Sequence, residues 1–261
     1  MEFWTSADER LEKEKYLTTG CYKLDAALRG GISQKGITQI YGAAGTGKTQ
    51  YALQLCLSVQ TSKTNGGCEA GAAYICTESA FPTRRLQQLL KSSELVTKHG
   101  ASADKIFVEH VSTIGFNNIF QTDLESCIFD RIPGLLKAQK VSVLVIDSIA
   151  APYRAEYNDQ ELKNRAKSLR SIGQCLHNLS RDYELSVVCI NQVTSAVDNK
   201  NSSNVCGGDL PTLGITWANL VTNSLCLVKN GDRRYLHVRE SPYLSRTTIP
   251  YEIHQSGVRG I

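Results

Sequence analysis

Between residues 37 and 191, short apolar runs alternate with longer stretches whose apolar positions recur at helical spacing. The apolar runs predict strands at Ile37–Tyr41, Ala72–Thr77, Lys105–Val111, Val141–Asp147 and Leu185–Asn191. The amphipathic stretches predict helices at Thr49–Gln60, Thr83–Lys91, Ile119–Arg131 with Gly134–Ala138, and Gln160–Tyr183. Because strands and helices alternate, we predict an α/β fold with a mostly parallel central sheet flanked by helices.

The pattern changes after Gln192. Residues 194–210 carry Asp, Asn, Ser and Gly with few apolar side chains, which is typical of a loop. Three further strands are predicted at Leu220–Lys229, Arg234–Arg239 and Thr248–His254, and Asn230-Gly231 is a strong hairpin signal between the first two. We therefore expect the sheet to end in a C-terminal antiparallel extension.

Composition limits the class of protein. The chain has 261 residues, of which 41% are hydrophobic and 21% charged, which suits one large domain with a sizeable core. Half of residues 1–16 are charged, and this segment is predicted to form an N-terminal arm, with the core spanning 17–261. No apolar run approaches the length of a membrane span, so we expect no membrane partner. The net charge of +4 is compatible with a polyanionic partner and too small to demonstrate one.

The nine cysteines do not suggest a disulfide framework or a zinc site. Their number is odd, no C-x-x-C pair occurs, and the His and Cys residues lack metal-ligand spacing. Several lie inside apolar runs. Most are therefore expected to be small buried thiols in a reducing compartment.

A complete phosphate-binding loop stands between the first predicted strand and the helix that follows it. It consists of Gly42, Ala43, Ala44, Gly45, Thr46, Gly47, Lys48 and Thr49, the pattern G-x-x-x-x-G-K-[ST]. The glycines allow backbone N–H groups to surround a phosphate, and the helix N-terminus adds unpaired donors. We expect Lys48 to reach the β- and γ-phosphates of ATP and the Thr49 hydroxyl to bind Mg²⁺.

Three polar residues follow predicted parallel strands, where ligands bind in open α/β sheets. Asp147 ends an apolar strand and is expected to support the Mg²⁺ shell. Glu78 follows Ala72–Thr77 and is either a general base that positions water or a solvated loop acid. Gln192 ends another apolar strand and either contacts the γ-phosphate, reporting it to the loop behind, or simply caps the strand.

Taken together, these residues resemble the RecA-like strand-exchange recombinases of eukaryotes, and among them the recombinase paralogs of the X-ray-repair cross-complementing group. The matching stretches run in order over about residues 17–261. They include Leu17-Thr18-Thr19-Gly20, Lys48-Thr49-Gln50, Tyr74-Ile75-Cys76-Thr77-Glu78, Val145-Ile146-Asp147-Ser148, Cys189-Ile190-Asn191-Gln192, Leu213–Asn219 and Gly257–Gly260. The resemblance implies a RecA-like P-loop ATPase core that binds ATP and Mg²⁺.

The resemblance also implies roles for single residues. Glu78 is similar to the family's catalytic glutamate, and Gln192 is similar to its nucleotide-sensing glutamine. Gln50 continues the phosphate-binding stretch. Arg85 matches an arginine that stacks on adenine, although a surface helix arginine is the plain alternative. Arg154 matches the first DNA-binding loop of the family.

Residues 194–208 match the second DNA-binding loop, where Lys200 is the single lysine. The loop contains no aromatic residue, whereas strong single-strand binders combine positive charge with stacking side chains. Lys163, Lys167 and Arg170 form a basic stripe at helical spacing on the predicted helix nearby. Such a stripe either faces phosphates or is a solvated face, and the solvated face is the commoner case.

Contacts between subunits are implied as well. In the family a neighbouring subunit covers the ATP, and residues 240–246, around Pro242, resemble that cap; a bent strand connection is the alternative. Protomers join through an aromatic-x-x-Ala motif in the arm, and Trp4-Thr5-Ser6-Ala7 fits it, with Trp4 and Ala7 as anchors and Trp in place of the usual Phe. The family's small N-terminal domain is expected to be absent.

The implied function is that of an ATP-binding subunit of a recombinase paralog complex, supporting homologous-recombination repair of double-strand breaks in the nucleus. Its expected partners are recombinase paralog C, as a heterodimer, the recombinase filament, and single-stranded or branched DNA. Weak DNA-dependent ATPase activity is expected. Two alternatives stay open: a nucleotide-locked scaffold with negligible hydrolysis, and a hexameric RecA-core helicase-like motor.

Overall fold

The computed structural model describes residues 15–111, 119–153, 159–194 and 210–261. Four of the residues singled out from the sequence, Trp4, Ala7, Arg154 and Lys200, lie outside the described residues. None of the described helices is long and apolar enough to cross a membrane.

The described strands and helices alternate along the chain. The strands are β1 Tyr16–Leu17, β2 Ile32–Ser33, β3 Ile37–Tyr41, β4 Gly71–Cys76, β5 Ile106–His110, β6 Val141–Asp147, β7 Ser186–Asn191, β8 Val193–Thr194, β9 Leu210–Pro211, β10 Asn223–Asn230, β11 Arg233–Glu240, β12 Thr248–His254 and β13 Gly257–Gly260. The α-helices are α1 Tyr22–Ala27, α2 Lys48–Ser58, α3 Thr83–Ser92, α4 Glu94–Thr97, α5 Ile119–Ser126, α6 Ile132–Ala138, α7 Asp159–Tyr183 and α8 Gly214–Ala218.

A nine-stranded sheet organises the described chain in the order β13-β12-β11-β10-β3-β7-β6-β4-β5. The pairs from β10 through β3, β7, β6 and β4 to β5 are parallel. The pairs that join β10, β11, β12 and β13 are antiparallel. This arrangement confirms the predicted fold class, a mostly parallel sheet flanked by helices with a C-terminal antiparallel extension.

The central strands β3, β4, β6 and β7 are rich in apolar residues and buried over nearly their whole length because helices cover both faces of the sheet. Successive side chains of a strand point to opposite faces, so Val143 and Val145 of β6 join the core that contains α2. Leu144 and Ile146 join a second core that contains α7. The sheet therefore lies between two packed cores. The loops that follow its parallel strands, including the P-loop after β3, lie at the carboxyl edge of the sheet.

The antiparallel extension shares the core of α2. Leu225 and Leu227 of β10 pack there with Leu236 and Val238 of β11. Gly231 has φ of 57° in the turn between these strands, a conformation that glycine adopts readily, as the Asn-Gly signal predicted. The strand β13 was not predicted, because a four-residue run with a glycine at each end carries too little periodicity.

The helices depart from the prediction in two places. The prediction ended a helix at Arg131 and resumed it at Gly134, whereas the structure continues through a π-helical turn, Cys127–Arg131, into α6. Pro133 does not interrupt the chain because it lies in the first turn of α6, where its missing N–H is not needed. The side chain of Leu162 in α7 is exposed, although an apolar residue of an amphipathic helix is expected to face the core.

The short strands β8 and β9 pair with each other, Val193 opposite Pro211. They flank residues 195–209, so the chain leaves and re-enters the described structure at one place. That place directly follows Gln192, at the carboxyl edge of β7. The segment that resembles a DNA-binding loop is thus attached beside the predicted nucleotide site.

Candidate nucleotide-binding site

The P-loop connects the end of β3 to the start of α2, as the motif requires. Gly42 has φ of 153°, and a Cβ there would lie 2.1 Å from the carbonyl oxygen of Leu227 in β10, so only glycine fits. The Thr46 hydroxyl donates to the carbonyl of Ala43 at 2.9 Å. The Tyr251 hydroxyl donates to the carbonyl of Thr46 at 2.5 Å. The loop is therefore held from within and from β12.

Lys48 lies across its own loop. Its Nζ donates to the carbonyl oxygens of Gly42 at 2.7 Å and Ala43 at 2.9 Å. Burial lowers the pKa of Lys48, while the nearby charges of Asp147 and Glu78 oppose that shift. The ammonium is thus placed among acceptors at the mouth of the loop, and phosphate oxygens would be stronger acceptors for it than neutral carbonyls.

Thr49 and Asp147 lie together where α2 begins and β6 ends. The Thr49 hydroxyl donates to Oδ2 of Asp147 at 2.9 Å, and the hydroxyl of buried Tyr74 donates to the same oxygen at 2.7 Å. Burial, and the charge of Asp147 next to it, raise the pKa of Tyr74, so the phenol remains a donor. Both of these bonds go to Oδ2, and no hydrogen bond to Oδ1 is found among the described residues.

This donor set fits Mg²⁺. The groups are oxygens, and Mg²⁺ bound with a nucleotide uses one or two protein oxygens together with phosphates and water. In the described ranges, no group of three or more His, Cys, Asp or Glu side chains forms a site for a metal ion. The arrangement therefore suits a metal shared with a ligand better than a metal enclosed by protein.

Glu78 is brought to the same edge of the sheet. The Gln192 amide nitrogen donates to Oε1 of Glu78 at 3.0 Å and to Oε2 at 2.8 Å. The Ser148 hydroxyl donates to Oε2 at 3.2 Å. The ends of β4 and β6 are tied beneath by Thr77, whose hydroxyl accepts from the N–H of Ser148 at 2.9 Å. Glu78 and Gln192, far apart in sequence, thus form one hydrogen-bonded unit.

Arg85, on α3, is held in place by hydrogen-bond acceptors around the edge of its guanidinium group. Its Nε donates to the Gln50 side chain, its Nη1 to Gln88 at 3.1 Å and its Nη2 to the carbonyl of His254 at 2.5 Å. Partial burial lowers the pKa of Arg85. Because the donors are used at the edge of the guanidinium, its flat face is the surface left for an aromatic ligand.

The P-loop and Arg85 border an open cleft of about 530 Å³. Its lining consists of Gly45, Gly47, Lys48, Thr49, Gln50, Arg85, Gln88, Arg234 and Ile253. We call the P-loop and Thr49 the inner wall, and we include in that name Asp147, Glu78 and Gln192, which lie at the adjoining sheet edge and do not themselves line the cleft. We call the side formed by Arg85, Gln88, Arg234 and Ile253 the outer wall.

Other predicted residues lie elsewhere. Pro242 is exposed in the loop after β11, and residues 240–246 contribute nothing to the lining of the cleft. This loop is ordered by its own contacts, since the Ser241 hydroxyl donates to Asn223 Oδ1 at 2.8 Å and accepts from the N–H of Leu244 at 3.1 Å. Lys163, Lys167 and Arg170 are exposed on α7.

Sequence reasoning missed Tyr74, Ser148 and Arg234. Tyr74 and Ser148 lie inside the matching stretches that contain Glu78 and Asp147. A search for polar side chains near strand ends would have found them. Arg234 offers no such signal, because only the pairing of β11 with β10 and β12 brings it to the cleft.

Comparison with known proteins identifies the family. A family model described as Rad51 matches residues 11–261. "DNA repair protein XRCC3" of Bos taurus is 39% identical over 266 residues, covering 96% of this chain and 76% of that protein. "DNA repair protein XRCC3" of Mus musculus is 38% identical over 275 residues, with the same coverage. "DNA repair protein rhp57" of Schizosaccharomyces pombe is 34% identical over 283 residues, covering 94% of this chain and 79% of that protein.

The matched span includes the P-loop, the strand ends that carry Asp147, Glu78 and Gln192, and the antiparallel extension. It therefore takes in both walls of the cleft and the whole nine-stranded sheet. The order of the sheet and the match over nearly the whole chain point the same way, and the chain belongs to the Rad51 family as a RecA-like recombinase paralog that is similar to XRCC3 proteins.

Proposed function

We propose that this chain is an ATP-binding subunit of a recombinase paralog complex that supports homologous-recombination repair of DNA double-strand breaks in the nucleus. The observation that carries the proposal is the inner wall, where Thr49 shares Asp147 with Tyr74 beside the P-loop and Gln192 holds Glu78. The relatives named as DNA repair proteins support the process.

Each inner-wall residue has a part in ATP binding. Lys48 donates to the β- and γ-phosphates, and Thr49 and Asp147 hold Mg²⁺, which neutralises phosphate charge when bound. Glu78 accepts a proton from an attacking water or orients it. Arg85 offers the face of its guanidinium to adenine. The backbone donors from Gly42 to Gln50 surround the phosphates.

Gln192 is the proposed coupling residue. Its amide nitrogen donates to both oxygens of Glu78, so a γ-phosphate oxygen would compete with Glu78 for the same donor group. Val193 and Thr194 follow directly in β8 and pair with β9. A shift of Gln192 toward a phosphate is therefore transmitted to the strand pair that flanks residues 195–209, including Lys200.

We further propose that ATP chiefly stabilises a heterodimer with recombinase paralog C. Residues 240–246 do not line the described cleft. This supports a model in which the cap of a neighbouring subunit, rather than this chain's own cap, covers the nucleotide. Trp4 and Ala7 are the proposed anchors toward a partner, and Pro242 belongs to the cap that this chain presents. Arg154 is proposed to contact single-stranded or branched DNA. The recombinase filament is the remaining proposed partner.

Hydrolysis is proposed to be weak. Glu78 accepts three hydrogen bonds from Gln192 and Ser148, and these take up most of the roughly four lone-pair sites with which its carboxylate could accept from an attacking water. The same observation favours the alternative, a nucleotide-locked scaffold with negligible turnover. ATP turnover of the heterodimer, measured with and without single-stranded DNA, distinguishes the two: DNA-stimulated turnover that Glu78→Gln abolishes supports the weak ATPase. The helicase-like motor would instead form a homohexamer in solution.

The test of the main proposal is the equilibrium affinity between this chain and paralog C, measured with Mg·ATP and without nucleotide. We expect affinity to rise roughly tenfold with ATP, in the range of ordinary coupling between sites. The matched control is Lys48→Ala, for which ATP should give no increase. Equal affinities for the unsubstituted chain with and without ATP would contradict the proposal.

A further inference from the structure

Arg234 lies on the outer wall of the cleft, and none of the residues that the structure describes forms an ion pair with it. It is the second residue of β11, and it lines the cleft beside Gly45, Gly47 and Arg85. Its Nε is buried and has no hydrogen-bond partner in the described part of the chain. A buried donor without an acceptor is unfavourable, and such groups are uncommon in folded proteins.

The two arginines of the outer wall differ sharply. Arg85 spends its donors on Gln50, Gln88 and the carbonyl of His254. Arg234 makes no comparable bonds within the ranges that the structure describes. Arg85 is therefore a fixed platform, whereas Arg234 has donors to offer to a ligand.

The surroundings of Arg234 indicate which ligand. Its cross-strand neighbour is Tyr251, whose hydroxyl donates to the carbonyl of Thr46 in the P-loop. Burial raises the pKa of Tyr251 and the positive charge of Arg234 opposes that shift, so the guanidinium lies close to the loop. Among the described residues that line the cleft there is no acid, and the other cations are Lys48 and Arg85.

We propose that Arg234 binds the phosphate chain of the nucleotide, as a second cation opposite Lys48. This inference rests on the proposed binding of ATP. Guanidinium donors form charge-assisted bonds to phosphate oxygens in a forked geometry, and a low-polarity flank such as Ile253 strengthens them. The ligand thereby supplies acceptors for the guanidinium that lines the cleft, and the P-loop is joined through it to the antiparallel extension.

The test is nucleotide affinity in Arg234→Met, with Arg233→Met as the matched control. Arg233 precedes Arg234, points to the opposite face of the strand and is exposed, so the control removes the same charge away from the cleft. We expect Arg234→Met to weaken binding of ATP and of inorganic triphosphate roughly ten- to hundredfold. Binding of adenosine should be unchanged, and Arg233→Met should bind ATP as the unsubstituted chain does.

Thermal unfolding without nucleotide separates binding from folding. Because Arg234→Met removes a buried donor that has no protein partner, we expect its melting temperature to be equal or higher. Arg234→Lys, which keeps the charge and loses the fork, should bind ATP with intermediate affinity and serves if the methionine variant does not fold. Equal ATP affinity in Arg234→Met and Arg233→Met would overturn the proposal, as would an equal loss for adenosine and ATP.

The failure of ATP binding itself is distinguishable. If the unsubstituted chain binds no ATP, or if Lys48→Ala binds it equally well, the proposed function fails. If the unsubstituted chain binds ATP through Lys48 and Arg234→Met changes nothing, only the role of Arg234 fails.

Discussion

The two walls of the nucleotide cleft handle their polar groups in opposite ways. On the inner wall Lys48 bonds to its own loop, Thr49 and Tyr74 share Asp147, and Gln192 holds Glu78. On the outer wall Arg234 has a buried donor with no partner among the described residues. A ligand must therefore replace existing bonds on the inner wall, whereas on the outer wall it adds a bond. The bonded groups Asp147, Glu78 and Gln192 are therefore suited to switching, whereas Lys48 and Arg234 supply affinity for the phosphates.

Among the predicted changes, loss of the Lys48 side chain should lower ATP affinity most. Lys48→Ala removes the one inner-wall cation, and we expect ATP affinity to fall by at least about a hundredfold, because a buried phosphate is left without its charge partner. Nucleotide titration followed by fluorescence measures this. Lys48→Arg, which keeps the charge, is the control. A loss below about threefold in Lys48→Ala would mean that the outer wall alone carries the phosphates.

Loss of the Tyr74 hydroxyl should have an intermediate effect. Tyr74→Phe removes the bond that orients Asp147 while it keeps the buried ring, whose edge packs on Phe81 with centroids 5.1 Å apart. Outer-shell partners of this kind alter metal affinity by about tenfold or more, so we expect the Mg²⁺ concentration for half-maximal ATP binding to rise roughly tenfold.

The readout for Tyr74→Phe is the Mg²⁺ dependence of ATP binding. Nucleotide binding measured in excess chelator should be the same in the variant and the unsubstituted chain. An unchanged Mg²⁺ requirement, or an equal loss with and without Mg²⁺, would show that Tyr74 serves packing alone.

Loss of the Gln192 amide should change ATP affinity least. We expect Gln192→Ala to bind ATP within about threefold of the unsubstituted chain, because the P-loop and Asp147 are untouched. The increase in paralog C affinity caused by ATP should nevertheless disappear, since the link from the phosphate to β8 is gone. Gln174→Ala, an exposed change on α7, is the matched control. A variant that keeps the full ATP effect on partner affinity would assign the coupling elsewhere.

Much of the inner wall was predictable because its parts are local. The P-loop has a fixed spacing, and Asp147, Glu78 and Gln192 each follow an apolar run whose carboxyl end must face the ligand edge of a parallel sheet. Their mutual distances were not predictable, because the sequence does not state which strands are neighbours. The bond from Gln192 to Glu78 depends on the order β7-β6-β4.

Most of the outer wall could not be predicted from the sequence, for a related reason. Arg234 reaches the cleft through antiparallel pairing of β10, β11 and β12, and no spacing in the sequence connects it with the P-loop. The prediction of a break in the helix before Gly134 was wrong, because Pro133 lies in the first turn of α6, where proline is tolerated. Periodicity therefore identified elements, and long-range pairing determined which side chains meet.

The most direct test of the central claim is the affinity of Mg·ATP for this chain alone and for its heterodimer with paralog C, measured by calorimetry. Thermodynamic linkage requires the partner to strengthen ATP binding by the same factor by which ATP strengthens partner binding. We predict roughly tenfold tighter ATP binding in the heterodimer, with Lys48→Ala in this chain used to subtract the partner's own site. Equal ATP affinities in the two states would contradict the account.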